Sequence, residues 1–419
     1  MRWSFLIALC LGLTLRLATV FIMSDITTDG PTDQASYAAL GENLASGGHY
    51  HDYYTAPLYP GAVALVIQVQ QIAGLDDLPI RLTVGILQTL FGQFAIGLFG
   101  WMICRRQCVL VGTLTMAGLA IWPNQVMLSG TVLTERLSTP LFLLGTTALL
   151  WDDRRPRHRQ LLLAGIAFGL MVITRPALGP VVLVAAILAA SNAGLDWRSR
   201  LTSILMTIAG TVLLLSMLIV YIRVDAGEWS SGSTAGGFNL CMGNSDFANG
   251  GWSEAAISHG CDLPPVGAAV TIKADRSEMR TGLRWMRSHL TSEPRLVRLR
   301  WRQIFEHDSD ALVWYPSYLA YDGPSNVKTL RPILDGWWQQ WKALSVIGLA
   351  ICLCAKRSRR FTTGTLLLGA AQLITPLASV GEARYHDALV PLMALWVASA
   401  VGVVIQGLVA RPEVEPAVP

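Results

Sequence analysis

The sequence predicts an all-α, polytopic membrane protein built around about ten transmembrane helices, and three observations predict it. Of 419 residues, 52% are hydrophobic and only 14% are charged, well below the roughly 25% charged residues of soluble domains; the mean hydropathy is +0.45. The hydrophobic residues are gathered into long apolar runs, and a helix of about 20 such residues matches the ~30 Å hydrocarbon core of a bilayer. Lys and Arg fall in short clusters between those runs, as expected where basic residues stay on the cytoplasmic side. The net charge of +4 is too small and too dispersed for a nucleic-acid partner.

The first apolar run, 4–23, follows Met1-Arg2-Trp3, lacks a small-residue cleavage site and carries Arg16. It reads as a retained span instead of a signal peptide. Further runs lie near 57–74, 81–103, 108–122, 131–151, 161–175, 177–193, 201–223, 337–355, 361–378 and 387–406, eleven in all. Arg2, Arg105-Arg106, Arg154-Arg155-Pro156-Arg157, Arg198 with Arg200, Lys356 to Arg360, and Arg411 should share the cytoplasmic face. Eleven spans cannot satisfy that, because several clusters then land outside. Treating 57–74 as a helix on the outer face repairs every loop at once, and Pro57, Pro60, Gln68, Gln70 and Gln71 suit an interfacial segment. Ten spans with both termini cytoplasmic follow.

Three regions result. Residues 1–223 form a module of seven spans whose first outer loop is 24–80. Residues 224–336 form a large outer loop, and 337–419 add three spans and a short tail. The large loop opens with the glycine-rich stretch Ser230 to Gly237, a composition expected of a mobile lid or linker. Residues 266–290 and 294–307 read as helices; in the second, Leu296, Leu299 and Ile304 alternate with Arg295, Arg298, Arg300 and Arg302, as at a lipid surface. Trp314-Tyr315 and Trp337-Trp338 with Trp341 would mark the interface. Cys10, Cys104, Cys108, Cys352 and Cys354 lie in or beside spans as small apolar filler. Cys241 and Cys261 stand alone in the large loop and could pair in an oxidising compartment, stabilising it by roughly 3 kcal/mol. No CxxC motif suggests a cysteine-based zinc site.

The polar residues that could carry chemistry collect at one face. Asp33 and Tyr37 are four apart, so a helix starting near Thr32 puts them on one side, with Tyr37, Leu40 and Leu44 as its apolar stripe. From spacing alone the plainer reading is better: Asp33 complements the helix dipole and Asp29 makes a turn with Gly30-Pro31. Glu135-Arg136 opens the next descending span, so parity returns a second acid to that face; an interfacial ion pair is the plain alternative. Arg175-Pro176 separates two runs too short to span, which leaves a guanidinium below the surface needing a carboxylate or a phosphate. The last outer loop carries Glu382, Arg384 and His386, where Arg384 can clamp a phosphate and His386 can donate to it. His49, His51 and Asp52 offer metal ligands at unspecific spacing.

The run Asp33-x3-Tyr37-x6-Leu44-x2-Gly47, followed by Pro57-Leu58-Tyr59-Pro60-Gly61, resembles the first outer loop of the GT-C superfamily of membrane glycosyltransferases. The similarity is to the bacterial branch that includes relatives of protein O-mannosyltransferases and the lipid A aminoarabinose transferase. Leu133-Thr134-Glu135, Thr174-Arg175-Pro176, Gly237-Phe238-Asn239-Leu240, Gly243-Asn244-Ser245-Asp246 and Glu382-Ala383-Arg384-Tyr385 follow in order, so the resemblance covers nearly the whole chain. It implies a GT-C-like bundle in the bacterial inner membrane with its site on the periplasmic face. There a sugar would pass from a polyprenyl-phosphate donor to a lipid, glycan or protein acceptor. Asp33 would be the base of an inverting displacement, with Asp29 as its competitor and Glu135 beside it. Arg384, then Arg175 and His386, would bind the donor phosphate. Gly236 to Asn249 would be the lid, and Tyr37, Tyr59, Asn239, Asn244 and Asp246 would face the acceptor. Several members of the family carry adjacent acids at the first motif, whereas here Gln34 follows Asp33. That departure favours a reaction requiring no cofactor, a divalent ion being optional. A transporter or flippase for an anionic solute is one alternative, and a lipid-linked oligosaccharide ligase or polymerase is another.

Overall fold

Helices make up the regular structure of the computed structural model, which describes residues 2–23, 32–50, 53–75, 77–151, 158–191, 196–261, 272–314 and 324–409. In chain order they are α1 (Arg2–Met23), α2 (Thr32–Ala45), α3 (Leu58–Ala73), α4 (Ile80–Arg106), α5 (Val109–Ala120), α6 (Pro123–Met127), α7 (Glu135–Leu150), α8 (His158–Thr174), α9 (Pro180–Ala190), α10 (Trp197–Ala226), α11 (Ala235–Gly243), α12 (Glu254–Ser258), α13 (Ile272–Ser288), α14 (Glu293–Phe305), α15 (Ala311–Trp314), α16 (Pro324–Cys354), α17 (Lys356–Ala378) and α18 (Val390–Val409).

Among the described residues, α1, α4, α10, α17 and α18 are long and apolar enough to cross a membrane, and α5 with the Pro123–Gly130 segment forms a pair bent by 62°. The chain is a membrane protein. On α10, Leu213, Met217 and Val220 are exposed, which suits hydrocarbon and not water. The same helix packs on α8 through small residues. A Cβ at Gly165 would meet the Thr207 carbonyl oxygen at 2.1 Å, and one at Gly210 would meet the Ile166 nitrogen at 2.5 Å. The two backbones touch, and Thr211 donates to the Gly165 carbonyl across the contact at 2.8 Å. Close backbone approach of this kind supplies the dispersion energy that holds helices together where lipid removes the hydrophobic drive. The main core joins α4, α5, α7, α8, α9, α17 and α18 around Phe99, Trp122, Phe142 and Phe168.

The segment 57–74 becomes α3, 16 residues or about 24 Å long, shorter than the hydrocarbon core. Tyr59, Val63 and Ile67 are buried with Val84 of α4, while Leu65, Val69 and Ile72 are exposed. α2 lies against it, with the Tyr37 and Tyr59 rings edge to face at 5.4 Å. One residue fixes α2 in place. The Gln34 amide nitrogen donates to the Trp314 carbonyl at 2.8 Å, and its oxygen accepts from the Val132 N–H at 3.0 Å.

The glycine-rich stretch departs from the expected linker. From Ala235 it is helical, and Phe238 and Met242 are buried with Ala256 and Val380. Gly237 sits so close to Asp275 that a Cβ would meet that residue's carbonyl oxygen at 2.0 Å, while Asp275 accepts the Gly237 N–H at 2.6 Å. Gly237 serves close packing, and a bond joins Cys241 to Cys261 with Cα atoms 5.8 Å apart. The expected lipid-surface pattern of α14 is also corrected at one residue. Arg300 lies on the buried face with Leu296 and Ile304. Its guanidinium donates to the Leu377 and Gly243 carbonyls and to Asn244 Oδ1, each at 2.7 Å. Trp338, expected at the interface, is likewise buried, between Phe305 and His386. Asp29, His51, Asp52 and Tyr315 lie outside the described residues.

Because Gln34 uses both ends of its amide, Gln34→Glu would set a carboxylate oxygen against the Trp314 carbonyl. The expected loss is about 1–3 kcal/mol, read as a lower thermal midpoint of the detergent-solubilised protein; an unchanged midpoint would remove Gln34 as the fastener of α2.

Candidate functional site

Four elements converge on one ionic cluster: the first turn of α2, the first turn of α7, the break between α8 and α9, and the 3-10 turn Ala383–His386. Glu135 is the first residue of α7, where a carboxylate complements the helix dipole, and the Thr134 hydroxyl donates to its Oε2 at 3.1 Å. Arg175 is extended, with φ −143° and ψ 94°, because Pro176 follows it. It reaches Glu135 Oε1 at 2.7 Å, and its guanidinium lies 5.0 Å from the Tyr385 ring centroid. The subsurface arginine therefore has a protein carboxylate as its partner.

Arg384 is the centre of the cluster. It touches Asp33 Oδ2 at 2.7 Å through a terminal nitrogen and Glu382 Oε2 at 2.5 Å through Nε, with Glu135 Oε1 3.8 Å away. The Trp314 ring centroid lies 5.2 Å from its guanidinium carbon. Burial works against the charge, yet Glu382, Glu135 and Asp33 outweigh it and raise the pKa well above the usual value for arginine. The two acids facing it differ in access: the Asp33 side chain is 34% exposed and that of Glu135 2%. Glu135 can hold arginines, whereas Asp33 can also meet a ligand.

Behind the cluster is a second polar layer. Arg136 pairs with Asp387 at 2.7 Å. Asp308 accepts from Trp122 Nε1 at 2.7 Å and from Asn124 Nδ2 at 2.6 Å. His386 is buried, stacked on Trp338 at 4.1 Å. Its Nε2 meets Asp308 Oδ1 at 3.0 Å and its Nδ1 meets the Ile304 carbonyl at 2.6 Å. Both partners are acceptors in their usual states, an arrangement that favours protons on both ring nitrogens. Burial would lower its pKa, but Asp308, Asp387 and the Ile304 carbonyl raise it instead. Burial pushes the nearby Asp310 up to about 7, with Asp387 and Asp308 adding to the rise.

Asp308, His386 and Asp387 are close enough to share a metal ion. The His386 nitrogens and both Asp308 oxygens also have protein partners, and Asp387 Oδ1 has none. Asp33 and Glu135 are each paired with a guanidinium.

Of the other residues singled out in the sequence, Tyr37 joins the cluster through its position on α2, and Tyr59 is buried with its hydroxyl donating to Gln88 Oε1 at 3.0 Å. Asn244 is structural, spanning the Leu240 and Ala378 carbonyls and Arg300. Asp246 accepts from Trp285 at 2.8 Å on the exposed side, and Asn239 is half-buried on α11. His386 is buried with both ring nitrogens engaged. Asp308, Asp387 and Gln34 were not recognised as parts of the site. Their sequence signal is weak, an acid beside a serine, an acid beside a histidine and a glutamine after an acid.

Neither a protein-family profile nor a functionally curated protein matches this sequence. Solved structures do. A crystal structure of the Archaeoglobus fulgidus oligosaccharyltransferase in its apo form aligns with a TM-score of 0.57 at 14% identity, covering 97% of this chain and 51% of its own. The same enzyme tethered to an acceptor peptide containing the NVT sequon aligns at 0.58 and 14%, with 97% and 50% covered. Its complex with an inhibitory peptide and a dolichol-phosphate aligns at 0.53 and 13%, with 97% and 50% covered. The chain thus spans about half the length of the structures it matches. At this identity the likeness is one of fold, which the chain shares with that oligosaccharyltransferase.

Proposed function

We propose that the protein is a glycosyltransferase that moves a sugar from a polyprenyl-phosphate donor to an acceptor at the outer face of a bacterial inner membrane. The observation that carries this reading is the Asp33–Arg384 pair. A partly exposed carboxylate and a phosphate-binding guanidinium lie 2.7 Å apart, with a second guanidinium, Arg175, held next to them by Glu135. The fold shared with a solved oligosaccharyltransferase supports it. Neighbours of this fold have been solved with a dolichol-phosphate and with an acceptor peptide, which makes a lipid-linked donor and a hydroxyl- or amide-bearing acceptor the reasonable first substrates.

The chemistry follows from charge. The acceptor oxygen or nitrogen attacks the anomeric carbon as the bond from that carbon to the phosphate oxygen breaks, and the electron pair leaves with the phosphate. Asp33 takes the acceptor's proton. An ordinary carboxylate suffices, because the acceptor becomes acidic only as the new bond forms. Arg384 and Arg175 stabilise the growing negative charge of the leaving phosphate, an interaction stronger in the transition state than in the ground state. In the free protein Arg384 is paired with Asp33. A donor phosphate that takes over Arg384 releases Asp33, so donor binding would prepare the base.

The positive charge at the reacting phosphate would come from arginine, and the carboxylates that would hold a divalent ion are already neutralised by Arg384 and Arg175. Transfer in a reconstituted assay with a polyprenyl-phosphate sugar should persist in excess EDTA; loss of turnover restored by a divalent ion would overturn the arginine assignment. Asp33→Asn should reduce transfer by about 10²–10⁴-fold with the protein still monodisperse, and transfer at the normal rate would remove Asp33 from the mechanism. Arg384→Ala should weaken donor binding far more than acceptor binding. Equal donor affinity would sink the phosphate clamp.

A further inference from the structure

The helices α13 and α14 carry a charge that the ionic cluster does not use. Residues 272–306 hold nine Lys and Arg against four Asp and Glu. Glu228 and Asp246 touch α13 from outside it, and counting them still leaves a surplus of three, in a chain whose net charge is +4. The surplus is ordered along the helices. Arg276, Arg280, Arg284 and Arg287 recur every three or four residues and so form one stripe of α13, and all four are exposed. The opposite face is turned inward: Gly282 is buried, and a Cβ there would meet the Leu240 carbonyl oxygen at 2.8 Å. On α14, the buried Leu296, Arg300 and Ile304 leave Arg295, Arg298 and Arg302 exposed.

Acids of the chain meet only part of this charge. Arg276 pairs with Glu228, and Arg302 with Glu306. Among the described residues, no carboxylate lies within 4 Å of Arg280, Arg284, Arg287, Arg295 or Arg298. Apolar side chains stand between these cations. Leu283 and Val297 are exposed, Leu290 is 69% exposed and Trp301 50%. Cations interleaved with exposed Leu and Trp are the composition of a helix lying at a membrane interface, where the alkyl stems of arginine also find apolar surroundings.

The two helices are held at the ends of membrane-crossing segments. Ile272, the first residue of α13, is buried with Ile222 in the last turns of α10, and Arg276 donates to the Trp229 carbonyl just beyond that helix at 2.7 Å. Arg300 of α14 donates to the Leu377 carbonyl in the last turn of α17. Both α10 and α17 are long and apolar enough to cross a membrane. We propose that the exposed surface of α13 and α14 rests on the bilayer through anionic phospholipid headgroups, with Arg280, Arg284, Arg287, Arg295 and Arg298 as the contacts and Leu290 and Trp301 in the interfacial layer. Charge complementarity selects the headgroup, and the exposed apolar residues beside the span ends favour a lipid surface over a soluble acidic partner. The surface does not rest on the transfer reaction.

The test follows amide hydrogen exchange over residues 279–302 in purified full-length protein held in nanodiscs of phosphatidylcholine or of phosphatidylglycerol. Exchange at least about fivefold slower in phosphatidylglycerol, the factor that one arginine contributes at an anionic surface, supports the proposal. Arg284→Gln, Arg287→Gln, Arg295→Gln and Arg298→Gln made together should abolish that difference with an unchanged thermal midpoint, since these side chains are exposed and unpaired. The four corresponding Arg→Lys changes should retain it. Salt at about 1 M, where the Debye length falls to about 3 Å, should remove it from the unaltered protein. Equal exchange in the two lipids, or a difference untouched by the Gln changes, would overturn the proposal. Slower exchange in phosphatidylcholine on adding polyglutamate, with no effect of phosphatidylglycerol, would assign the stripes to a soluble acidic partner and overturn it too. Asp33→Asn should leave the lipid difference unaltered, so failure of the transfer mechanism and failure of this surface are read separately.

Discussion

Arg384 is the residue on which the ionic cluster depends. Its guanidinium lies within 4 Å of three carboxylates, Asp33, Glu382 and Glu135, which come from α2, its own turn and α7. Remove that one positive charge and three acids would face one another in a poorly solvated space, where like-charge repulsion is weakly screened. Arg175 has the complementary task of holding Glu135 from the side of the α8–α9 break. The cluster therefore joins distant parts of the chain through charge and not through apolar packing.

Around that centre, the protein fixes its loops with side chains that saturate backbone groups. Gln34 joins α2 to residues 132 and 314, Arg300 joins α14 to α11 and α17, and Asn244 joins α11 to the end of α17. A buried backbone group without a partner costs as much as a lost hydrogen bond, so these few residues decide which loop conformations are affordable in an apolar setting. The His386 ring belongs to the same design, held between Asp308 and the Ile304 carbonyl with Trp338 as a stacking face. It supports the turn that carries Arg384.

The proposed chemistry uses the difference in exposure between two acids. Glu135 is enclosed and serves to orient cations, while Asp33 stays partly exposed. Placing the base beside the phosphate-binding cation couples the two: whatever draws Arg384 toward an anionic donor releases Asp33.

Much of this was legible beforehand. Composition and run lengths by themselves determined that the protein is helical and membrane-embedded, because a bilayer permits few other backbone arrangements. The four-residue spacing of Asp33 and Tyr37, the short runs flanking Arg175-Pro176 and the isolated pair Cys241 and Cys261 each pointed to features the structure contains. The tertiary structure alone decided partners. Arg300 looks like one more basic residue on a surface helix until the crossing of α11 and α17 surrounds it with carbonyls, and His386 looks like a phosphate donor until Asp308 and Ile304 take both its nitrogens. Local sequence carries periodicity, which fixes elements and faces, but ion pairs such as Arg384–Asp33 join residues some 350 positions apart, and only the packing of the bundle brings them within reach.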